Sequence, residues 1–269
     1  MNKIKPIGVF DSGIGGLNIL NSLYRLMPNE NYLYVGDSLN APYGEKTRNE
    51  IIELTKQHVE FLIGNNVKIV VIACNTATGA AIAELRDIYQ DIDFVGLEPA
   101  VKPACLMTRT GNIGVLATEG TFKAKHFITT SEKYNTYVNI HTQVGYGLVS
   151  LAEKNRIYSQ ESKELLYKYL EPLLKNNIDF LVLGCTHYPF FSDIIAEICG
   201  NSVRILDSGE AVAKRTKDLL MTRKLLNDGK TQGVINIFST GDCSIFENIV
   251  ANHCEFVASA CNHLPKQTS

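Results

Sequence analysis

The chain has no surplus of basic residues. Its 26 Lys and Arg stand against 28 Asp and Glu, which leaves nothing to neutralise a nucleic-acid backbone and excludes that class of partner. No apolar run approaches the ~18 residues that a membrane span requires, so no membrane partner is expected. The opening Met1-Asn2-Lys3-Ile4-Lys5-Pro6 leads into a strand-like segment without the apolar core of a signal peptide, and a cytoplasmic protein is expected. CxxC, HExxH and grouped His/Cys ligands are missing, so no metal is expected. The seven cysteines are odd in number and lack disulfide-framework spacing, as suits reduced thiols. No dinucleotide fingerprint, P-loop or Schiff-base lysine motif is present, so the expected cofactor set is empty.

What is there is an ordinary globular composition, 45% hydrophobic and 20% charged over 269 residues, with no low-complexity segment. Short β-branched runs alternate with amphipathic stretches: Ile7 to Phe10, a helix over Leu17 to Leu26, Tyr32 to Val35, a helix over Arg48 to Ile63, and Ile69 to Ala73. The rhythm returns at Ile113 to Leu116, Ser162 to Leu174, Phe180 to Leu183 and Val203 to Leu206. Such alternation predicts α/β architecture with parallel sheets.

Sliding the chain over itself by 111 positions places Cys74 on Cys185, Asn65-Asn66-Val67 on Asn176-Asn177-Ile178, and Ile69-Val70-Val71-Ile72 on Phe180-Leu181-Val182-Leu183. A second echo, at an offset of 106, pairs Ile7-Gly8-Val9-Phe10 with Ile113-Gly114-Val115-Leu116. The reading is two similar parallel-sheet α/β domains related by pseudo-symmetry, with the active site in the cleft between them. Residues 1–98 form the first, carrying Cys74, and 99–206 the second, carrying Cys185. Residues 207–269 are expected to complete the first domain. Two prolines, Pro99 and Pro103, are expected to interrupt the helical pattern at the junction.

Ligands of open α/β sheets bind beyond the carboxyl ends of the strands, where both cysteines fall. A lone buried cysteine is ordinary core material; two at equivalent strand ends, followed by hydroxyl, amide and imidazole groups, are not. Each strand leads into a helix, whose N-terminus should lower a thiol pKa from about 8.5. A thiolate and a thiol on opposite faces of one carbon supply the base and acid that invert its configuration. A disulfide oxidoreductase would instead pair its cysteines in one motif, and a cysteine hydrolase would use a single one. Asp11, opening the Asp11-Ser12-Gly13-Ile14-Gly15-Gly16 turn, is placed to assist one thiol or hold an ammonium group, and the glycines to let backbone approach a ligand. His187 is placed to assist the other thiol. Pro42-Tyr43-Gly44 forms a turn whose N–H groups suit a carboxylate. His58, His126, His141, His253 and His263 have no neighbours in the sequence that suggest a site, and no role is assigned to them.

Taken together, Asp-Ser-Gly-x-Gly-Gly at 11–16, Pro-Tyr-Gly at 42–44, Ala-Cys-Asn-Thr-Ala at 73–77, Gly-Cys-Thr-His-Tyr-Pro at 184–189 and Thr-Gly-Asp at 240–242 resemble the glutamate racemases of the aspartate/glutamate racemase superfamily. The resemblance covers almost the whole chain. It implies two α/β domains around one site and pyridoxal-independent interconversion of L- and D-glutamate for peptidoglycan synthesis. It implies Cys74 and Cys185 as acid/base thiols, Asp11 and His187 as their assistants, and Asp11, Ser12, Tyr43, Gly44, Asn75, Thr76, Thr186 and His187 as substrate-binding residues. The resemblance further implies Thr118 and Thr121 as additional members of the site and a place near the cleft for Glu153. A homodimer is expected. Ser38-Leu39-Asn40-Ala41 lacks an arginine often found before Pro-Tyr-Gly, and the end of the 117–123 loop is unusual, which bears on substrate range and regulation. The alternatives are a racemase for aspartate or a broader set of amino acids, and a non-catalytic regulatory protein on the same scaffold.

Overall fold

A computed structural model describes residues 3–264. The first half runs β1 (Ile7–Asp11), α1 (Leu17–Leu26), β2 (Tyr32–Gly36), α2 (Arg48–Gly64), β3 (Ile69–Ile72), α3 (Asn75–Ile88) and β4 (Phe94–Gly96). The second runs α4 (Val101–Met107), β5 (Asn112–Ala117), α5 (Glu119–Lys123), α6 (Lys125–Tyr134), β6 (Asn139–Val144), α7 (Leu148–Glu153), α8 (Gln160–Leu174), β7 (Phe180–Gly184), α9 (Ser192–Cys199) and β8 (Arg204–Leu206). The chain closes with α10 (Gly209–Thr222), β9 (Ile235–Ser239), α11 (Cys243–His253) and β10 (Asn262–His263). Among the described residues no helix is long and apolar enough to cross a membrane.

Two parallel sheets result, ordered β10-β9-β2-β1-β3-β4 and β6-β5-β7-β8. The run β2-β1-β3-β4 of the first sheet and all four strands of the second follow the same order. Register agrees as well: Ile7 pairs with Ile69 between β1 and β3, and Ile113 with Phe180 between β5 and β7. Val70 opposite Phe94 is matched by Leu181 opposite Ile205, each partner displaced by 111 positions. The central strands β1, β3, β5 and β7 are almost wholly buried, and continuous apolar runs are what parallel strands covered on both faces require. The repeated asparagines have a backbone cause. Asn66 and Asn177 both adopt positive φ, 62° and 54°, just past the ends of α2 and α8, where asparagine is among the few residues to tolerate the left-handed conformation.

β9 extends the first sheet beside β2, with Tyr32 opposite Ile235, while α10 packs along α1. The chain passes between the halves at 97–100 and again at 207–208, and Ser208 Oγ donates to the Glu98 carbonyl (2.6 Å), tying the two crossings together. Pro103 does not break the helical pattern there; it lies in the first turn of α4, where its missing N–H would have no intrahelical acceptor. A continuous apolar core containing Leu97, Leu116, Leu183, Ile194 and Phe246 joins the two halves.

Candidate active site

The carboxyl ends of β1, β3, β5 and β7 converge on one small cavity. Ser12, Tyr43, Gly44, Cys74, Asn75 and Thr76 line it from the first half, and Thr118, Thr121, Val149, Cys185, Thr186 and His187 from the second. Its volume is about 10 Å³, room for about one water molecule. Among the described residues no Lys or Arg lines it. A wider cavity of about 230 Å³ adjoins it, shares Asn75, Cys185 and Thr186, and reaches Arg25 and Asp207. Among the described residues no three His, Cys, Asp or Glu side chains are grouped to hold a metal ion.

Cys74 caps α3: the Ala77 N–H donates to its sulfur (3.4 Å), and Ser12 Oγ lies 3.5 Å from it, placed to donate to the sulfur once the thiol ionises. These contacts favour the thiolate, yet burial and the nearby Asp11 charge outweigh them and push the thiol up to about 12. The helix terminus therefore does not produce the lowered pKa that sequence reasoning expects. Removing a thiolate from water costs more than one dipole end returns. At neutral pH Cys74 is therefore held as the protonated thiol.

Asp11 ends β1, and its Oδ2 accepts from the Gly13 and Gly16 N–H groups (3.2 and 2.9 Å). Its Oδ1 accepts from Thr186 Oγ1 across the cleft (3.3 Å). Burial raises its pKa to about 6 against the opposing pull of His187, so at neutral pH it is mostly ionised and close to the proton-exchange range. On the other side, Cys185 Sγ lies 3.8 Å from His187 Nδ1. Burial disfavours the imidazolium, but hydrogen bonds to Cys185 and Glu153 prevail and raise the His187 pKa well above its ordinary value.

Glu153, at the end of α7, organises this side. Its Oε1 lies 2.5 Å from His187 Nε2 and accepts from the Ile14 N–H (2.7 Å), while its Oε2 accepts from Ser38 Oγ (2.5 Å). One carboxylate of the second half thus holds a histidine of its own half and two donors of the first. The glycines of the 11–16 turn make room for these side chains. A Cβ at Gly13 would fall 1.8 Å from Glu153 Oε1, and one at Gly15 2.5 Å from His187 Nδ1. The expected close approach is therefore to protein side chains of the opposite half.

The remaining residues form the walls. Thr76 and Thr118 hydroxyls meet across the cleft at 2.9 Å, Thr118 contacts Thr121 at 2.9 Å, and Thr121 donates to the Gly184 carbonyl (3.1 Å). Gly44 abuts Thr118, where a Cβ would come within 3.0 Å. Asn75 Oδ1 is buried without a partner, which leaves an acceptor for a ligand ammonium. Tyr43 borders the cavity, but its hydroxyl turns away and donates to Asp37 Oδ2 (2.7 Å). All ten residues singled out from the sequence thus lie at the cleft. Sequence reasoning missed Ser38, Asp37 and the bridging function of Glu153; contacts spanning 115 and 139 positions leave no periodic trace.

Two pseudo-symmetric α/β halves, each delivering a cysteine with its own ionisable neighbour to a shared cleft, are the architecture of an isomerase, and the Asp/Glu/hydantoin racemase family is matched over residues 18–216. The chain is 44% identical over 245 residues to a glutamate racemase of Pseudomonas putida, covering 91% of this chain and 92% of that one. A solved glutamate racemase from Bacillus anthracis superposes with a TM-score of 0.86 at 30% identity over the full length of both chains. Another, from Francisella tularensis in complex with D-glutamate, gives 0.81 at 30% identity over 99% of this chain and 98% of that one. The chain belongs to the Asp/Glu/hydantoin racemase family and, within it, to the glutamate racemases.

Proposed function

We propose that the protein interconverts L- and D-glutamate without a cofactor, by proton transfer at Cα between Cys74 and Cys185. The observation that carries this reading is the pair of thiols at equivalent strand ends on one cavity, Cys74 beside Asp11 and Cys185 beside His187. In one direction Cys185, its own proton passed to His187, takes the Cα proton while Cys74 delivers its thiol proton to the opposite face. In the other, Asp11 takes the Cys74 proton, Cys74 becomes the base, and Cys185 is the donor. Each turnover moves one proton on and one off, and leaves the thiols in exchanged states that solvent resets.

With no Lys or Arg among the described residues of the cavity wall, the substrate carboxylates are held by hydroxyl and N–H donors: Ser12, Thr76, Thr186, the turn at Gly44 and the N-terminus of α3. Asp11 and Asn75 Oδ1 are acceptors for the ammonium. Closure of the two halves on bound substrate would exclude water from the carbanion-like transition state. Supply of D-glutamate for peptidoglycan, in a cytoplasmic homodimer, completes the reading.

Incubating purified protein with L-glutamate, without pyridoxal phosphate, tests it by chiral chromatography. D-glutamate should accumulate to equal amounts of the enantiomers, and Cys74→Ala or Cys185→Ala should abolish this. Conversion of L-aspartate in preference to glutamate would reassign the substrate. No conversion of either by folded protein would contradict the enzymatic reading.

A further inference from the structure

The proposed function leaves one buried polar cluster of the first half unused. Asp37 follows β2, is fully buried, and collects hydrogen bonds from three side chains and a further polar contact from a fourth. Tyr43 Oη gives to its Oδ2 at 2.7 Å, Thr240 Oγ1 to its Oδ1 at 2.8 Å, and Asn40 Nδ2 to both oxygens. His58 of α2 places Nε2 3.2 Å from Oδ2, in polar contact with the carboxylate but outside hydrogen-bond geometry. The imidazole is itself buried, stacks on Phe10 at 5.4 Å between centroids, and leaves Nδ1 without a partner. A bare imidazole nitrogen in the core is costly to stability, and an apolar side chain stacked on Phe10 would avoid that cost. Burial alone would raise the Asp37 pKa, but the contacts from His58, Tyr43 and Thr240 hold it below the ordinary carboxylate value.

The cluster leads toward the substrate cavity by two routes. The Asp37 N–H donates to the carbonyl of Asp11 (3.0 Å), and Tyr43 belongs to the turn whose next residue, Gly44, abuts Thr118 of the second half. Thr240 comes from the Thr-Gly-Asp motif at the end of β9 and also accepts from the Leu39 N–H (3.1 Å). The motif, which has no place in the chemistry, thereby gains a function: it anchors the segment carrying Ser38 and Asp37.

We propose that His58 and Thr240, acting through Asp37, form a buried positioning centre that fixes the Pro42-Tyr43-Gly44 turn as the substrate-binding wall facing the second half. His58 lines no part of the cavity and transfers no proton. It is a positioning residue, and its loss should weaken substrate binding while sparing the proton-transfer step. This rests on the glutamate racemase reading above.

Steady-state kinetics of the full-length protein with both enantiomers, beside the wild type, tests the proposal. His58→Phe keeps the stack on Phe10 and removes the nitrogen facing Asp37; KM for each enantiomer should rise about tenfold with kcat changed less than about threefold. His58→Gln, whose Nε2 amide can donate to Asp37, should return KM to within about threefold of wild type. Tyr43→Phe should raise KM similarly, and the double variant His58→Phe/Tyr43→Phe should be no worse than either single one, because both act through one carboxylate. A folded His58→Phe protein with unchanged KM overturns the proposal, as does a KM rise that Gln does not rescue or that multiplies with Tyr43→Phe. If His58→Phe fails to fold, Thr240→Val decides by the same measure: a raised KM supports the centre and an unchanged one overturns it. Wild-type protein that does not turn over glutamate would defeat the function reading and this inference with it. An active wild type with unaltered KM in the variants defeats this inference alone.

Discussion

His187 Nε2 and Glu153 Oε1 lie 2.5 Å apart, both on the second half, and the same carboxylate takes hydrogen bonds from Ile14 N–H and Ser38 Oγ on the first. Closure of the cleft and the protonation of His187 are therefore held by one group. In Glu153→Gln, one of the two partners that raise the His187 pKa, beside Cys185, loses its charge, while the amide oxygen still accepts one bond. We expect kcat/KM to fall about 10- to 100-fold. It must fall equally in both directions, because the two enantiomers have equal free energy. The asymmetry should appear instead in the primary deuterium isotope effects, larger in the direction where Cys185 is the base. Activity within about twofold of wild type would remove Glu153 from the proton pathway.

Asp11 gives a pH prediction. Its folded pKa of about 6 lies above the ordinary value of 3.8 because burial disfavours the charged form. Between these values the folded state binds more protons than the unfolded one, so this group's contribution to stability is present at low pH and is lost as pH rises through about 6. Fully ionised, Asp11 costs on the order of 3 kcal/mol. Asp11→Asn removes that cost, and the melting-temperature advantage of the variant should grow from pH 4 to pH 7. The same substitution takes a negative charge away from Cys74, so the thiol should ionise at lower pH by ultraviolet thiolate absorbance, even as racemisation is lost. A variant advantage that shrinks toward pH 7 would contradict the assignment.

Two glycine substitutions separate site geometry from general backbone effects. Gly13→Ala would place its methyl group against Glu153, and should reduce kcat/KM by a factor comparable to Glu153→Gln. Gly64→Ala, at the last residue of α2 with no atom within 4 Å of the added carbon, should leave kinetics unchanged and stabilise the fold by about 0.5–1 kcal/mol. Equal kinetic effects from both would show that the turn is sensitive to any backbone change.

Architecture is legible in this sequence because it is written twice. The apolar run Ile69-Val70-Val71-Ile72 and its counterpart at 180–183 read as buried parallel strands, and the displacement of 111 positions carries through β4 and β8 and through the two left-handed asparagines. The strand-end cysteines follow from the same repeat. Pro103 shows the limit of local reading, since a proline in a first helical turn and one that breaks a helix look alike in sequence. The Cys74 pKa shows another: the dipole was visible from the strand-to-helix order, but the degree of burial was not. His58 and Asp37 meet only because α2 packs back on the first sheet, and no spacing in the chain announces it.

The central claim is that two different groups handle the two protons, and isotope incorporation during early turnover tests it most directly. L-glutamate is incubated with the enzyme in deuterated water, the reaction is stopped after a small fraction of conversion, and the separated enantiomers are weighed by mass spectrometry. The account predicts that D-glutamate carries solvent deuterium at Cα, delivered by an exchanged Cys thiol, while recovered L-glutamate keeps its original proton. D-glutamate that retains the proton removed from its own L-enantiomer would mean that a single group serves both faces, and would contradict the paired-thiol mechanism.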